Sequence, residues 1–238
     1  MVKKGDFVEL EYTGRIKDLN IVFDTTSEKE AKENNIYNEK ASYGPIIICI
    51  GQNHVIHGLD EQLEDKKLGK KYQIELRPEK GFGKKDAKLI QLVATSKFIK
   101  QKINPMPGLQ VNIDGLMGMI RTVSGGRTLV DFNHPLAGKE LIYDFKISKI
   151  VKDEEEKLNA FLKVQLNLKD TKVAIKEGNA AITLNIKHEL PKPIQEGLTK
   201  NIKEIIPSIK NIEFKSVQTK TKEDKPSERQ KENKSSNP

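Results

Sequence analysis

Cysteine is almost absent from this chain. Its 238 residues contain one cysteine, Cys49, and four histidines. A single cysteine excludes an internal disulfide framework and a zinc site built from several cysteines. The composition therefore predicts a protein of a reducing compartment.

Long apolar runs are also missing. The longest uninterrupted apolar run, Pro45 to Ile50, is far shorter than the roughly 20 residues that a membrane-spanning helix needs. The first residues alternate apolar and charged side chains and contain no apolar stretch, so no signal peptide is expected. These absences predict a cytoplasmic protein with no membrane partner.

Positive charge is in excess but is not clustered. The chain has 42 Lys and Arg against 34 Asp and Glu, a formal net charge of +8. Most of the positive charge is lysine dispersed among glutamates, a pattern typical of a solvated surface. Nucleic acid is therefore not the expected partner; a nucleic-acid protein would show binding that falls steeply with salt.

Alternation of apolar and polar residues predicts β-strands through much of residues 1–152. Val8, Leu10 and Tyr12 share one face of a strand that Thr13-Gly14 is expected to end. Leu59 and Leu63, four residues apart, predict a helix over 57–67. Other strands are expected at 20–24, 46–50, 72–76 and 141–147, with a short helix or exposed loop at 27–40.

Two further regions have their own patterns. Residues 86–131 predict a small unit with strands at 89–93, 109–114, 116–123 and 127–132. Residues 153–218 predict a separate αββαβ module: helix 153–168, a hairpin over 171–186, helix 193–206 and strand 212–217. Residues 219–238 contain no apolar residue and are expected to be a disordered tail.

Five short motifs occur in a fixed order. They are Tyr12-Thr13-Gly14, Phe23-Asp24, Gly51-x-x-x-Val55-Ile56-x-Gly58-Leu59, Gly81-Phe82-Gly83, and Asn133 to Gly138 followed by Leu141 to Phe145. Together they resemble the signature of FKBP-type peptidyl-prolyl cis–trans isomerases. The last motif is similar to the SlyD-like subgroup, in which a small chaperone domain interrupts the flap.

The resemblance implies an α+β fold, a twisted antiparallel sheet wrapped around a short helix. It implies an isomerase domain made of residues 1–85 and 132–152, with an insert-in-flap chaperone domain at 86–131. The module at 153–218 matches no family that these motifs indicate.

The resemblance also implies an apolar cleft between sheet and helix. Catalytic roles fall to Tyr12, Asp24, Ile56, Phe82 and Tyr143, and substrate-binding roles to Phe23, Ile46, Val55, Leu59 and Leu136. Leu59 and Phe82 replace residues that are often Trp and Tyr in the family, and both replacements leave the cleft apolar.

The chemistry fits these residue types. Rotation about a peptide bond costs about 18–20 kcal/mol because twisting destroys amide resonance. A twisted amide has less charge separation than a planar one, so a dry apolar cleft favours it by differential binding of the transition state. By resemblance, the Ile56 N–H holds the substrate carbonyl and Asp24 acts on the local field, with no cofactor.

Other interpretations of these residues stay open. Tyr12, Phe23, Val55, Ile56 and Tyr143 are ordinary core types, and Asp24 before two threonines suits an Asx-turn. The same fold could serve as a non-catalytic holdase. His54 and His57 lack a third ligand at useful spacing, and His134 and His188 are isolated, so no metal is expected.

The insert is rich in apolar residues for its size: Leu89, Ile90, Leu92, Val93, Phe98, Ile99, Ile103, Met106, Leu109, Leu116, Met117 and Met119. A unit this small is not expected to bury all of them, and exposed Met-rich surface adapts to varied partners. We expect it to capture unfolded or proline-containing chains; the alternative is a small closed core. The module at 153–218 is expected to support a homodimer or client binding.

Overall fold

In the computed structural model, the structure describes residues 1–166, 171–186 and 189–216. The chain divides into two compact units, Met1–Asp153 and Glu154–Pro238. The predicted tail at 219–238 and His188 lie outside the described residues. The domain boundaries drawn from the sequence within the first unit stay predictions.

The secondary structure is mixed, in agreement with the α+β prediction. The helices are α1 (Glu28–Glu33), α2 (His57–Leu63), α3 (Thr95–Lys100), α4 (Glu154–Leu166) and α5 (Lys192–Ile205). The strands are β1 (Phe7–Ile16), β2 (Ile21–Thr25), β3 (Ile46–Cys49), β4 (Lys71–Leu76), β5 (Ile90–Ala94), β6 (Gln110–Ile113), β7 (Leu116–Ser124), β8 (Arg127–Asp131), β9 (Leu141–Ile150), β10 (Thr171–Lys176), β11 (Asn179–Leu184) and β12 (Asn211–Ser216).

A five-stranded antiparallel sheet organises the first unit. Its order is β2-β1-β9-β4, and β3 also pairs with β1. The long strand β1 is shared: its first half pairs with β3, from Phe7 opposite Cys49 to Leu10 opposite Ile46, and its second half pairs with β2. Strand β9 pairs along nearly all of β1, so residues far apart in sequence meet on one sheet.

The core of this unit lies between the sheet and α2. Val8, Leu10, Leu141 and Ile147 from the sheet pack in one apolar cluster with Leu59 and Leu63 from α2. Gly58 allows α2 to lie close to the backbone at Lys80, because a Cβ at position 58 would be 2.5 Å from the Lys80 carbonyl oxygen. The predicted helix therefore packs where the pattern places it.

Two predicted element ends are wrong. Strand β1 continues through Gly14 to Ile16, because Gly14 pairs with both Asp24 and Tyr143. Helix α2 ends at Leu63 instead of continuing to residue 67. The N-terminal segment causes this early end: the Asp65 N–H donates to the Val2 carbonyl, and the Val2 N–H donates to the Lys66 carbonyl.

Residues 90–131 form a second antiparallel sheet with the order β5-β8-β7-β6. Its small core contains Phe98 of α3 with Val111, Ile120 and Val130 of the sheet. The predicted strands are present, so the pattern of short alternating segments gave the right elements for this region.

The second unit contains α4, β10, β11, α5 and β12 in the predicted αββαβ order. Strands β10 and β11 form a hairpin that turns at Glu177-Gly178, and β12 pairs in parallel with β11. Leu158, Leu162, Ile182 and Ile202 are fully buried. In the described part of the chain, no helix combines the length and the apolar character needed to cross a membrane.

Candidate functional site

Four aromatic side chains meet at one place in the first unit, and we call them the aromatic cluster: Tyr12, Phe23, Phe82 and Tyr143. The Phe23 ring lies edge-on to both Phe82 and Tyr143, with centroids 5.9 Å apart in each pair. Tyr12 and Tyr143 are also 5.9 Å apart. The residues come from β1, β2, β9 and the segment after β4, so the sheet assembles them.

A glycine makes room for this assembly. A Cβ at Gly14 would lie 2.8 Å from Phe23 Cζ and 2.9 Å from Tyr143 Cε1. Both distances are shorter than carbon atoms tolerate, so the two rings use the space that a side chain would fill. The third residue of the Tyr-Thr-Gly motif therefore serves ring packing and does not end the strand.

Asp24 is joined to the aromatic cluster by a hydrogen bond. The Tyr12 hydroxyl donates to Asp24 Oδ2 at 2.8 Å. Tyr12 is half-buried while Asp24 is exposed. Burial first, and then the Asp24 charge, raise the pKa of Tyr12 far above its ordinary value of 10.0, and the same two causes raise the pKa of Tyr143. Both phenols therefore stay protonated donors.

The loop before α2 is fixed by a buried carboxylate. Asp60 is only 3% exposed, and its oxygens accept the N–H groups of Gly51 at 2.9 Å and Asn53 at 2.8 Å. The Ile56 carbonyl accepts the first bonds of α2, from Leu59 and Asp60. Within the described residues, the Ile56 N–H has no acceptor, so it is available to a ligand.

The remaining predicted site residues divide into two groups. Ile46 and Val55 are half-buried against the same apolar cluster as the aromatic rings, and Leu59 is fully buried within it. Leu136 is half-buried on the turn that precedes β9 and lies outside this cluster. Eight of the ten predicted residues therefore belong to this apolar cluster, and Asp24 is joined to it by its hydrogen bond to Tyr12. Leu136 is the one predicted residue that the structure leaves apart from them.

Sequence reasoning missed two residues at this site, Asp60 and His134. Asp60 follows Leu59 on the buried face of α2, and a carboxylate next to an apolar core position signals a buried hydrogen-bond acceptor. The His134 ring lies flat on Phe82, with centroids 4.5 Å apart and planes 6° from parallel. No sequence pattern places those two rings together, because 51 residues of chain separate them.

A large concavity of about 970 Å³ lies elsewhere on this unit. It shares Tyr12 with the predicted cleft but is otherwise lined by residues such as Arg15, Glu28, Lys71, Gln73 and Asp144. A lining rich in charged groups does not favour a less polar, twisted amide. We therefore place the candidate site at the aromatic cluster and not in this concavity.

The two candidate histidines of the sequence are engaged in the protein's own hydrogen bonds. His54 Nδ1 accepts the Cys49 N–H at 3.1 Å, and burial lowers the pKa of His54. His57 Nε2 lies 3.0 Å from Glu61 and its Nδ1 lies 3.0 Å from Asn53 Oδ1. Among the described residues, no group of three or more His, Cys, Asp or Glu is arranged to hold a metal ion.

Comparison with known families gives two matches along the chain. Residues 1–99 match the family described as FKBP-type peptidyl-prolyl cis-trans isomerase. Residues 91–136 match the family described as FKBP26, IF domain. The first match contains Tyr12, Phe23 and Phe82 of the aromatic cluster, and the second contains all of the sheet formed by β5 to β8 except Ile90.

Individual relatives agree with these matches. The chain is 33% identical over 156 residues to a short-type peptidyl-prolyl cis-trans isomerase of Methanocaldococcus jannaschii, covering 66% of this chain and 98% of the relative. It is 26% identical over 133 residues to the FKBP-type isomerase SlyD of Haemophilus influenzae, covering 54% and 69%. It is 30% identical over 110 residues to an FKBP-type 16 kDa isomerase of Escherichia coli, covering 44% and 74%.

Proposed function

Because this chain belongs to the FKBP-type peptidyl-prolyl cis–trans isomerases, we propose that its aromatic cluster is the surface on which X-Pro bonds of unfolded or nascent cytoplasmic chains rotate. The observation that carries this proposal is the convergence of four aromatic rings, the Asp24 carboxylate and the acceptor-free Ile56 N–H. The site offers an apolar surface bordered by one donor and one negative charge.

The proposed chemistry needs no nucleophile. An uncatalysed X-Pro bond isomerises in about 10–100 s at room temperature, and the planar amide is more polar than the twisted one. The half-buried rings of Tyr12, Phe23 and Phe82, backed by the buried Tyr143, stabilise the twisted amide relative to the planar one. This lowers the barrier by differential binding. The Ile56 N–H binds the substrate carbonyl and holds the proline ring over the cluster.

The test is the acceleration of cis–trans exchange in a short X-Pro peptide. We expect Phe82→Ala and Asp24→Ala to lower kcat/KM by about tenfold or more, because each removes part of the transition-state surface. Lys29→Ala is the matched control, since Lys29 is 81% exposed on α1. Unchanged rates in both site variants would place catalysis elsewhere.

We further propose that the insert at 86–131 captures unfolded chains and makes the protein a folding chaperone. Leu92 is 62% and Met117 is 59% exposed, and Ile99 is exposed next to the buried Phe98. Side chains alternate along a strand, so Leu92 and Met117 project from the face opposite Val93 and Ile120. Capture there raises the effective concentration of prolines at the aromatic cluster.

This second proposal is tested with two substrates. The kcat/KM for a protein whose refolding is limited by proline isomerisation is divided by the kcat/KM for a short X-Pro peptide. Replacing Leu92, Ile99 and Met117 together with serine should lower that ratio by about tenfold or more. The control is a triple serine variant of the exposed polar residues Gln91, Gln110 and Thr122. An unchanged ratio, with equal protection against client aggregation, would exclude capture by these three exposed side chains.

We also propose that the module at 153–218 mediates a homodimer. Val164 on α4 and Ile194 on α5 are 41% and 46% exposed, whereas the other large apolar side chains described in this unit are buried or half-buried. Sedimentation of the full chain should show a concentration-dependent mass that Ile194→Glu reduces to that of the monomer. A constant monomeric mass for the unaltered protein would overturn the proposal.

A further inference from the structure

His134 covers the outer face of a ring in the aromatic cluster. Its imidazole stacks on the Phe82 ring, with centroids 4.5 Å apart and planes 6° from parallel. The Phe82 and Phe23 rings in turn meet edge to face, with centroids 5.9 Å apart and an interplanar angle of 79°. His134 itself is exposed and Phe82 is half-buried. The imidazole therefore lies between solvent and the ring that forms one side of the proposed site.

The position of His134 is set by the two chain segments that connect the main sheet to the insert. The Gly138 N–H donates to the Gly83 carbonyl at 2.8 Å, which joins the outgoing and returning segments. The Asp86 N–H donates to Asn133 Oδ1 at 2.8 Å, and Asn133 Nδ2 donates back to the Asp86 carbonyl at 3.0 Å. His134 follows Asn133 directly, so these bonds place it beside Phe82.

The backbone after His134 is also tied to its ring. His134 Nδ1 accepts the Leu136 N–H at 3.2 Å, and the His134 carbonyl accepts the Ala137 N–H at 2.9 Å. The imidazole thus makes two separable contacts: its face packs on Phe82, and Nδ1 holds a turn.

We propose that His134 is a positioning residue for isomerisation, which acts by holding the Phe82 ring in its edge-on arrangement with Phe23. The proposal rests on the proposed function of the aromatic cluster. The stacking face and not the Nδ1 contact carries the effect, because only the face touches a ring of the site. His134 does not contact the rotating bond.

Two substitutions separate the two contacts. His134→Asn keeps an oxygen that can accept the Leu136 N–H in an Asx-turn but removes the ring. His134→Phe keeps a flat ring against Phe82 but removes the acceptor. Lys84→Asn is the control, since Lys84 lies in the same connection, is 74% exposed and pairs with Glu79 at the surface.

We expect His134→Asn to lower kcat/KM for a short X-Pro peptide by about threefold to tenfold, mainly through kcat, and His134→Phe to restore most of it. Upfield ring-current shifts of the Phe82 ring protons should be lost in His134→Asn and kept in His134→Phe. Equal rates in all variants, or a larger loss in His134→Phe, would overturn the proposal.

Failure of the proposed site and failure of the His134 proposal give different results. If the unaltered protein does not accelerate peptide exchange, the proposed site is wrong whatever His134 does. If the unaltered protein does accelerate exchange, a second result is decisive. A change of the Phe82 shifts in His134→Asn without a change in kcat/KM would show that the ring contact exists but does not position the catalytic surface. This proposal alone would then be excluded.

Discussion

The Tyr12 hydroxyl donates a hydrogen bond of 2.8 Å to the Asp24 carboxylate, which links neighbouring strands of the main sheet at the edge of the aromatic cluster. Asp24 is exposed, yet this bond holds its charge beside the half-buried rings. Among the described residues, the hydrogen-bond partner of Asp24 is therefore a side chain of the site and not a backbone N–H of an Asx-turn. An oriented charge at the edge of an apolar surface is a means of preorganised electrostatic stabilisation.

Two substitutions test whether the position or the charge of Asp24 matters for isomerisation. Asp24→Asn keeps an acceptor for Tyr12 but removes the charge, whereas Tyr12→Phe keeps the ring but releases the carboxylate. We expect Asp24→Asn to lower kcat/KM by about tenfold, and Tyr12→Phe to lower it by about threefold. Peptide exchange rates check this; full activity in both variants would make the pair a surface contact only.

The half-buried phenol of Tyr12 and the buried phenol of Tyr143 predict a late alkaline transition. Since the pKa values of Tyr12 and Tyr143 are raised above 10.0 in the folded protein, their contribution to stability is complete below that pH and is lost as the pH rises above it. Among the five tyrosines, these two should ionise only together with unfolding in a titration followed at 295 nm. Tyr12→Phe and Tyr143→Phe should each diminish this late phase.

In that titration, ionisation of Tyr12 and Tyr143 near pH 10 while circular dichroism still shows folded protein would contradict the burial of both rings.

Gly14→Ala should damage both stability and activity. Its Cβ would displace the Phe23 and Tyr143 rings, and we expect a loss of about 1–3 kcal/mol in the free energy of unfolding together with a lower kcat/KM. Gly197→Ala is a matched control in α5, where nothing lies within 4 Å of the added Cβ. There the helix should gain about 0.5–1 kcal/mol. Equal effects of the two substitutions would show that the aromatic cluster tolerates displacement.

Asp131 stabilises the base of the insert. It is 3% exposed and accepts hydrogen bonds from Lys85 and Arg121 and from both the backbone and side chain of Asn133. Burial alone would raise the pKa of Asp131, but these bonds outweigh burial and hold the pKa well below its ordinary value of 3.8. Its stabilising effect is therefore present above that pH and is lost as the pH falls below it.

We expect Asp131→Asn to destabilise the insert by about 1–3 kcal/mol near neutral pH, with a difference from the unaltered protein that shrinks on acidification below 3.8. Hydrogen exchange of the Ile120 and Val130 amides measures this locally. A difference that stays constant with pH would show that the Asp131 charge is not the stabilising feature.

Much of the fold follows from residue patterns. The alternation at Val8, Leu10 and Tyr12 placed β1, and the Leu59–Leu63 spacing placed α2, because each pattern reflects burial on one face. The family and its isomerase activity, predicted from the ordered motifs, are confirmed by the comparisons. Four of the motifs each contribute one ring to the aromatic cluster, because the strands and the segment after β4 meet there; the roles of these residues stay predictions.

The errors arise where distant segments meet. Pairing of Val2 with residues 65 and 66 ends α2 early, and β1 continues through Gly14 because Gly14 pairs with both Asp24 and Tyr143. The stack of His134 on Phe82 depends on how the insert returns to the sheet. Such contacts join segments whose sequences carry no periodic signal for each other, so local pattern does not predict them.

The most direct test of the central claim is to locate a bound proline by intermolecular nuclear Overhauser effects, using a short isotope-labelled X-Pro peptide and the full chain. We predict contacts from the proline ring protons to the rings of Phe82 and Tyr143 and a shift of the Ile56 amide. Contacts instead to Tyr72 or Lys71, which line the charged concavity, would contradict the placement of catalysis on the aromatic cluster.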